Sequence, residues 1–292
     1  MKVNIVWDDK QTYGGGNQFL KRLRRIFEDK GLYANVSKAD VILYNSHHQI
    51  SDVKQIKIRY PDKLFMHRID GPMRLYNNVT DTRDDIVIGV NSVADGIIFQ
   101  SSWSKNESIQ MYPSLSMKPS TVIHNACEFQ KRKRNYEGKK KIVAISMSDN
   151  INKGYKLYSY LDDKLDFNRY EFTFVGRSPV LWKNISNLGL KAPNEIISVL
   201  YENDVFITAS KNDPCSNSLI EALSVGLPAV ALNSGGHPEI VKRGGEVFDG
   251  ETDVIEKLNK VFFDIETYSK NITVNSIDDV AEQYLDFFKG MK

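Results

Sequence analysis

The sequence predicts an α/β protein built from two doubly wound parallel-sheet domains. Three observations carry that reading. Short, fully apolar runs alternate with stretches of helical period, the alternation continues through both halves of the chain, and a polar, basic stretch separates the halves. Strands buried on both faces read as unbroken apolar runs, and the helices between them cover the two faces of a parallel sheet. A length of 292 residues suits about two domains of ordinary size.

In the first half the strand candidates are Val3–Trp7, Val41–Tyr44, Leu64–His67, Gly96–Phe99 and Thr121–His124. Between the first two, Gln18–Glu28 places Phe19, Leu20, Leu23, Ile26 and Phe27 on one helical stripe. The second half offers Lys141–Ser146, Phe172–Gly176, Val205–Ser210, Ala229–Asn233 and Glu246–Phe248 as strands, with Asn194–Tyr201 and Leu219–Val225 as helices. The expected domains are 1–134 and 135–275. Residues 276–292 carry Val280, Tyr284, Leu285 and Phe288 at helical spacing and form a helix that could pack on either domain, including back on the first. The boundary falls in Gln130–Lys141, which carries seven Lys or Arg residues and little to bury. It reads as a solvated linker. The alternative for 131–141 is peripheral contact with an anionic membrane, worth about 1 kcal/mol per basic residue near the surface.

Hydrophobic residues make up 41% and charged residues 26%, which excludes a disordered or fibrous chain. The 39 Lys+Arg against 37 Asp+Glu leave a net charge of +2, so no nucleic-acid partner is expected. Cys127 and Cys215 are far apart and in no metal-ligand spacing, as expected of reduced thiols in the cytoplasm. The opening MKVNIVWDDK lacks the apolar core of a secretory signal, and no run approaches 18 apolar residues.

Doubly wound sheets bind ligands outside the carboxyl ends of their strands, so a motif gains weight when it follows a strand. The segment Val205–Gly226 reads as strand, loop and helix, the helix opening around Asn217 or Ser218 and closed by Gly226 with Pro228. Asp213 lies in the loop and Glu221 lies one turn inside the helix. Two readings of Glu221 compete. Ser218-Leu-Ile-Glu221 fits a capping box, in which the Glu reaches back to an unsatisfied amide. Alternatively, the small residues Ser216, Asn217 and Ser218 let a diphosphate approach the amides of the helix N-terminus, and Glu221 accepts hydrogen bonds from a ribose diol. After the next strand, Asn233–Val241 supplies a tight Gly235-Gly236 turn, with Pro238 and Glu239 suited to a first helical turn.

The stretch from Asp213 to Val241 resembles the signature of family 4 retaining glycosyltransferases of the GT-B fold. That signature is a Glu-x7-Glu motif, a helix, a Gly-x-Pro turn, a strand, and a Gly-Gly turn before an acidic helix start. The chain matches it at Glu221, Gly226-Leu-Pro228 and Gly235-Gly236-His-Pro-Glu239, with Asp213 standing where the family has its first Glu. The resemblance implies two Rossmann-like domains facing across a cleft. It also implies a nucleotide-sugar donor with neither metal nor other cofactor.

Residue by residue, the resemblance implies that Lys153, before Gly154, contacts the donor diphosphate. Ser148 stands where the family usually carries an Arg, and Arg177 is a candidate replacement. Gly15 and Gly16, in the Gly14–Asn17 loop, would lie near the donor phosphates. Phe19 occupies the third glycine's place in a G-x-G-x-x-G fingerprint, which argues against a dinucleotide site. Ser216, Asn217, Ser218 and Leu219 would hold the diphosphate and Glu221 the ribose. Asp213 and His67 would be catalytic, Asp213 holding sugar hydroxyls or stabilising oxocarbenium character and His67, at the end of its strand, orienting the donor sugar. Arg68 and Asp70 are neighbours of that position, and His47-His48 has no partner pattern for a metal. The implied activity is a retaining, metal-independent hexosyl transfer from a nucleotide sugar to an unidentified glycan, lipid or protein acceptor, in glycan or surface polysaccharide synthesis. The alternatives are a nucleotide-sugar epimerase of the same fold and a non-catalytic sugar-nucleotide-binding module.

Overall fold

The computed structural model describes residues 1–7, 15–128, 131 and 136–291. The chain divides into two compact units, Met1–Ala126 with Asn275–Lys292, and Cys127–Val274. Unit 1 begins with β1 (Val3–Val6), α1 (Gly15–Asp29), β2 (Val41–Asn45), α2 (Ile50–Arg59) and β3 (Leu64–Ile69). It continues through α3 (Met73–Tyr76), α4 (Arg83–Asn91), β4 (Gly96–Phe99), α5 (Ser102–Met111) and β5 (Ser120–Val122). The sheet runs β1-β2-β3-β4-β5 with every pair parallel. On the other flank of β1 the chain makes a single parallel bridge between Val3 and Tyr33. The segment after α1 therefore lies on one side of β1 and β2 lies on the other. The order of the sheet reverses there, which is where the crevice of a doubly wound sheet opens.

The apolar runs explain the two-sided burial. Val41, Leu43 and Met66 meet Phe19, Leu23 and Phe27 of α1 on one face, while Ile42, Tyr44 and Phe65 meet Val53 and Val90 on the other.

Unit 2 contains β6 (Lys140–Ser146), α6 (Tyr155–Lys164), β7 (Tyr170–Gly176), β8 (Ser186–Asn187), α7 (Pro193–Glu202) and β9 (Val205–Thr208). After these come α8 (Asn217–Ser224), β10 (Ala229–Leu232), α9 (His237–Val241), β11 (Gly245–Phe248), α10 (Val254–Phe263) and α11 (Ile265–Lys270). Its parallel sheet has the order β11-β10-β9-β6-β7-β8. The chain leaves β6 toward β7 on one side and later returns to β9 on the other, so this order reverses between β6 and β9.

The last helix, α12 (Ile277–Gly290), belongs to unit 1. Ser276 and Asp279 cap it reciprocally. It lies along α1, with the Phe19 and Tyr284 rings 6.2 Å apart and Lys30 Nζ 2.9 Å from Glu282. The unit boundary comes at Ala126, earlier than the expected 134, because Cys127 packs into the unit 2 core and Lys131 Nζ donates to Ile272 O at 3.1 Å. Lys140 and Lys141 already belong to β6, and Lys140 lies over the rings of Tyr170 and Phe262. Residues 129–130 and 132–135, which include Arg132, Lys133 and Arg134 of the basic run, lie outside the described residues. Among the described residues no helix is long and apolar enough to cross a membrane.

Candidate functional site

Three loops at the carboxyl edge of the unit 2 sheet, after β6, β9 and β10, are laced into one shelf. Gly154, with φ +84°, closes the first against the second, and a Cβ there would lie 2.3 Å from that of Ala209. Only glycine allows that approach. Lys211 N donates to Asn152 O at 2.7 Å, tying the same two loops again. Gly235, φ +63°, joins the third loop to the second, where a Cβ would fall 2.2 Å from Asp213 O. Gly236 N donates to that carbonyl at 2.9 Å, and Asn212 N donates to Ser234 Oγ at 2.9 Å. The shelf sits where the strand order reverses.

Its charged centre is an ion pair. Lys153 Nζ lies 3.1 Å from Asp213 Oδ2, the two side chains being 15% and 12% exposed. Burial works to raise the Asp213 carboxyl, but Lys153, then His237, and the Cys215 amide hold it below the usual carboxylate range. It is therefore ionised at neutral pH. His237 is fully buried beside it. Its Nδ1, 2.9 Å from Leu232 O, carries the proton, and Nε2 has no hydrogen-bond partner among the described residues. Burial keeps this imidazole below its ordinary pKa despite the pull of Asp213.

Helix α8 starts at this shelf. Its N-cap is Ser216, whose Oγ accepts from Leu219 N at 3.4 Å and lies 3.3 Å from Ser218 Oγ. The capping box expected of Ser218 and Glu221 is thus corrected: Ser218 is already inside the helix, and Leu219 occupies the third position that a capping glutamate would need. Glu221 is half-buried further along the helix. The Leu219 amide is held by the cap in this structure, and Asn217 and Ser218 complete the first turn.

Comparison with known proteins agrees with this geometry. Residues 128–272 match the family Glycosyl transferases group 1. That segment is similar to the family and lies within unit 2. The whole chain has the GT-B fold. The structure of Anabaena HepE in complex with UDP and glucose is similar, with a TM-score of 0.75, 14% identity, and 99% of each chain covered. Sucrose-phosphate synthase from Thermosynechococcus elongatus is similar at a TM-score of 0.70 and 13% identity, over 97% of this chain and 81% of that one. Spore coat protein SA of Bacillus subtilis (strain 168) is 22% identical over 255 residues, 74% of this chain, and the match spans 66% of that relative's length.

Unit 2 thus holds Lys153, Asp213, Ser216, Asn217, Ser218, Leu219 and Glu221 on adjoining loops and one helix. Arg177 follows β7 with its side chain exposed. Its backbone is fixed, N donating to Ser146 O at 3.0 Å and O accepting from Tyr155 Oη at 2.8 Å. Among the described residues no group of three or more His, Cys, Asp or Glu could hold a metal ion. His237, Asn152 and Ser234 brace the shelf without having stood out in the sequence, because their roles depend on which loops meet. The Gly-Gly-His-Pro run was the available signal for the first of them.

The remaining candidates belong to unit 1. Gly15 and Gly16 open α1, while the preceding Gly14 lies outside the described residues. His67 does not end its strand on an open edge. It is the fourth of six residues in β3, fully buried and stacked on Tyr44 with ring centroids 4.5 Å apart. Nε2 lies 3.0 Å from Ser46 O and Nδ1 3.0 Å from Asn91. Burial pushes its pKa down to about 4, so the ring is neutral, and both of its nitrogens face protein oxygens, Ser46 O and Asn91 Oδ1. His67 was expected to orient the donor sugar from the end of its strand; the structure places it inside β3 with both ring nitrogens engaged within the protein.

Proposed function

We propose that this chain transfers a sugar from a nucleotide-sugar donor, with the donor diphosphate seated on the unit 2 shelf. The observation that carries the reading is the Lys153–Asp213 ion pair, set at the strand-order reversal beside the N-terminus of α8. Breaking the glycosidic bond delivers an electron pair to the diphosphate, and that charge needs compensation. A lysine ammonium about 4 Å from a phosphate oxygen contributes ~4 kcal/mol of raw attraction at an effective dielectric of ~20. The terminus of α8 adds up to ~2 kcal/mol in a partly buried setting. The long Ser216–Leu219 cap bond is one that a phosphate oxygen can replace.

On this reading Lys153 leaves Asp213 for the diphosphate, and the freed carboxylate takes up hydroxyls of the donor sugar or steadies positive charge at its anomeric carbon. The acceptor oxygen bonds to that carbon on the face the diphosphate leaves, and its proton passes to the departing phosphate oxygen. Configuration is retained, and no protein base is required. Glu221 binds the ribose. HepE solved with UDP and glucose, and also with UDP-glucose, supports a UDP-hexose as the donor.

A thermal-shift panel of UDP, GDP, ADP and CMP, each with and without chelator, tests the donor site. UDP should raise the melting temperature in both conditions, and no response to any nucleotide would overturn the reading. Proton NMR of UDP-glucose turnover then follows the chemistry. An α-linked product supports retention. Epimerised donor with no acceptor present identifies an epimerase, and UDP binding without turnover identifies a binding module.

A further inference from the structure

Arg68 is fully buried at the carboxyl edge of unit 1, remote in sequence from the shelf residues. Its Nη1 donates to Asn45 Oδ1 and, at 2.8 Å, to Asp70 Oδ1. Its Nη2 donates to Asn125 Oδ1 at 2.6 Å, and the guanidinium lies 4.9 Å from the centre of the Phe19 ring. Asn125 Nδ2 donates to Gln100 Oε1 at 3.0 Å, and Gln100 Nε2 donates back to Asp70 Oδ1. Asn45 ends β2, Asp70 follows β3, Gln100 follows β4 and Asn125 lies just past β5, so the network gathers four strand ends, three of them bonded directly to Arg68.

A network of this kind is not built for stability alone. Desolvating a guanidinium is costly, and a buried ion pair can often be exchanged for apolar side chains with no loss of folding energy. Arg68 Nε has no hydrogen-bond partner among the described residues, which adds to that cost. What the network accomplishes is to fix one carboxylate. Asp70 Oδ1 is gripped by Arg68 and Gln100, and its backbone carbonyl accepts from Ser104 Oγ at 2.9 Å. The side chain nevertheless remains 20% exposed. It stands close to the reversal between β1 and β2, because Asn45 ends β2 and Phe19 lies in the first turns of α1.

We propose that Asp70 is a hydroxyl-binding residue for a neutral sugar or polyol acceptor, and that Arg68 is its positioning residue. This rests on the glycosyl-transfer reading above. A carboxylate with one oxygen anchored offers the other as a strong acceptor aimed in a fixed direction, which suits a substrate hydroxyl. The fixed fork of arginine, with its several directed donors, is the group that can hold such a carboxylate in one rotamer.

The test is a calorimetric titration of the full chain with methyl α-D-glucopyranoside, methyl α-D-galactopyranoside, methyl α-D-mannopyranoside and glycerol. At least one should bind. Asp70→Asn, which can still accept from Arg68 and Gln100, should weaken that binding about tenfold or more. Arg68→Met should weaken it similarly, yet have no further effect in the Asp70→Asn background. A purely structural role would give additive losses instead. If Arg68→Met does not fold, Arg68→Lys takes its place in the cycle. Absence of binding to the wild type, equal binding by Asp70→Asn, or additive losses would each overturn the proposal. A wild type that binds a glycoside but shows no thermal response to UDP would defeat the donor reading and leave the Asp70 site standing.

Discussion

The carboxyl edges of the two sheets solve related problems with different cations. In unit 1, Arg68 is fully buried, and its amide and carboxylate partners surround a planar fork. In unit 2, Lys153 remains 15% exposed and reaches Asp213 with a single ammonium on a flexible stem. An arginine held by several directed bonds stays where it is. A lysine can exchange a carboxylate for a phosphate, since its charge needs no particular orientation. One edge therefore reads as a fixed template, and the other as a site that changes partners on binding.

The largest effect that would sharpen this contrast is on turnover. Asp213→Ala should lower kcat with UDP-glucose on the order of a hundredfold to a thousandfold, while changing UDP affinity far less. A change confined to KM would place Asp213 in ground-state binding instead.

Next comes stability. Lys153→Met strands a buried carboxylate and should cost about 3 kcal/mol in urea denaturation at pH 7, the low end for breaking a buried pair. The sign with pH follows from the lowered Asp213 pKa. In the wild type its contribution is complete above an ordinary aspartate pKa of about 4 and is lost as pH falls through the folded value. Lys153→Met should therefore lose less than the wild type on acidification. Parallel acid limbs would show that Lys153 is not what holds Asp213 ionised.

Unit 1 should show its own pH dependence, set by a group outside the donor site. With His67 pushed down to about 4, the unfolded chain takes a proton below pH 6.5 that the folded chain refuses. Stability of this unit should fall by about 3 kcal/mol between pH 6.5 and 4, measured as amide exchange in β3. His67→Gln should flatten that slope. The smallest effect expected is from Glu221→Ala, about a tenfold loss of UDP affinity by calorimetry. Unchanged affinity would remove the ribose contact from the donor site.

Much of the architecture was legible because two-sided burial leaves unbroken apolar runs. Ten strands fall within two residues of their expected ends. The β8 strand was not legible, since Ser186 and Asn187 are exposed at an edge and carry no apolar pattern. Helix α2 gave little signal because only Val53 is buried along it, and α5 buries Ser104 and Ser108 rather than an apolar stripe. Lys153 and Asp213 could be found because each follows a strand. The cap at Ser216 could not be told from Ser218 by spacing, as both serines suit the role and backbone geometry decides between them. His67 was misplaced for a related reason. In a strand covered on both faces, alternation carries no information about which position reaches the edge.

The pairing of α12 with α1 has a consequence for biosynthesis. Phe19, Tyr284 and Phe288 belong to one apolar cluster, yet nearly the whole length of the chain separates the first from the last. A ribosome finishes the entire second unit before it makes the helix that covers α1, a delay on the order of ten seconds at ordinary elongation rates. During that interval the first-made lobe carries an uncovered greasy stripe, whereas the lobe made later can close as soon as it emerges. Nascent-chain chaperones should accordingly find their binding site near the beginning of this polypeptide rather than in its middle.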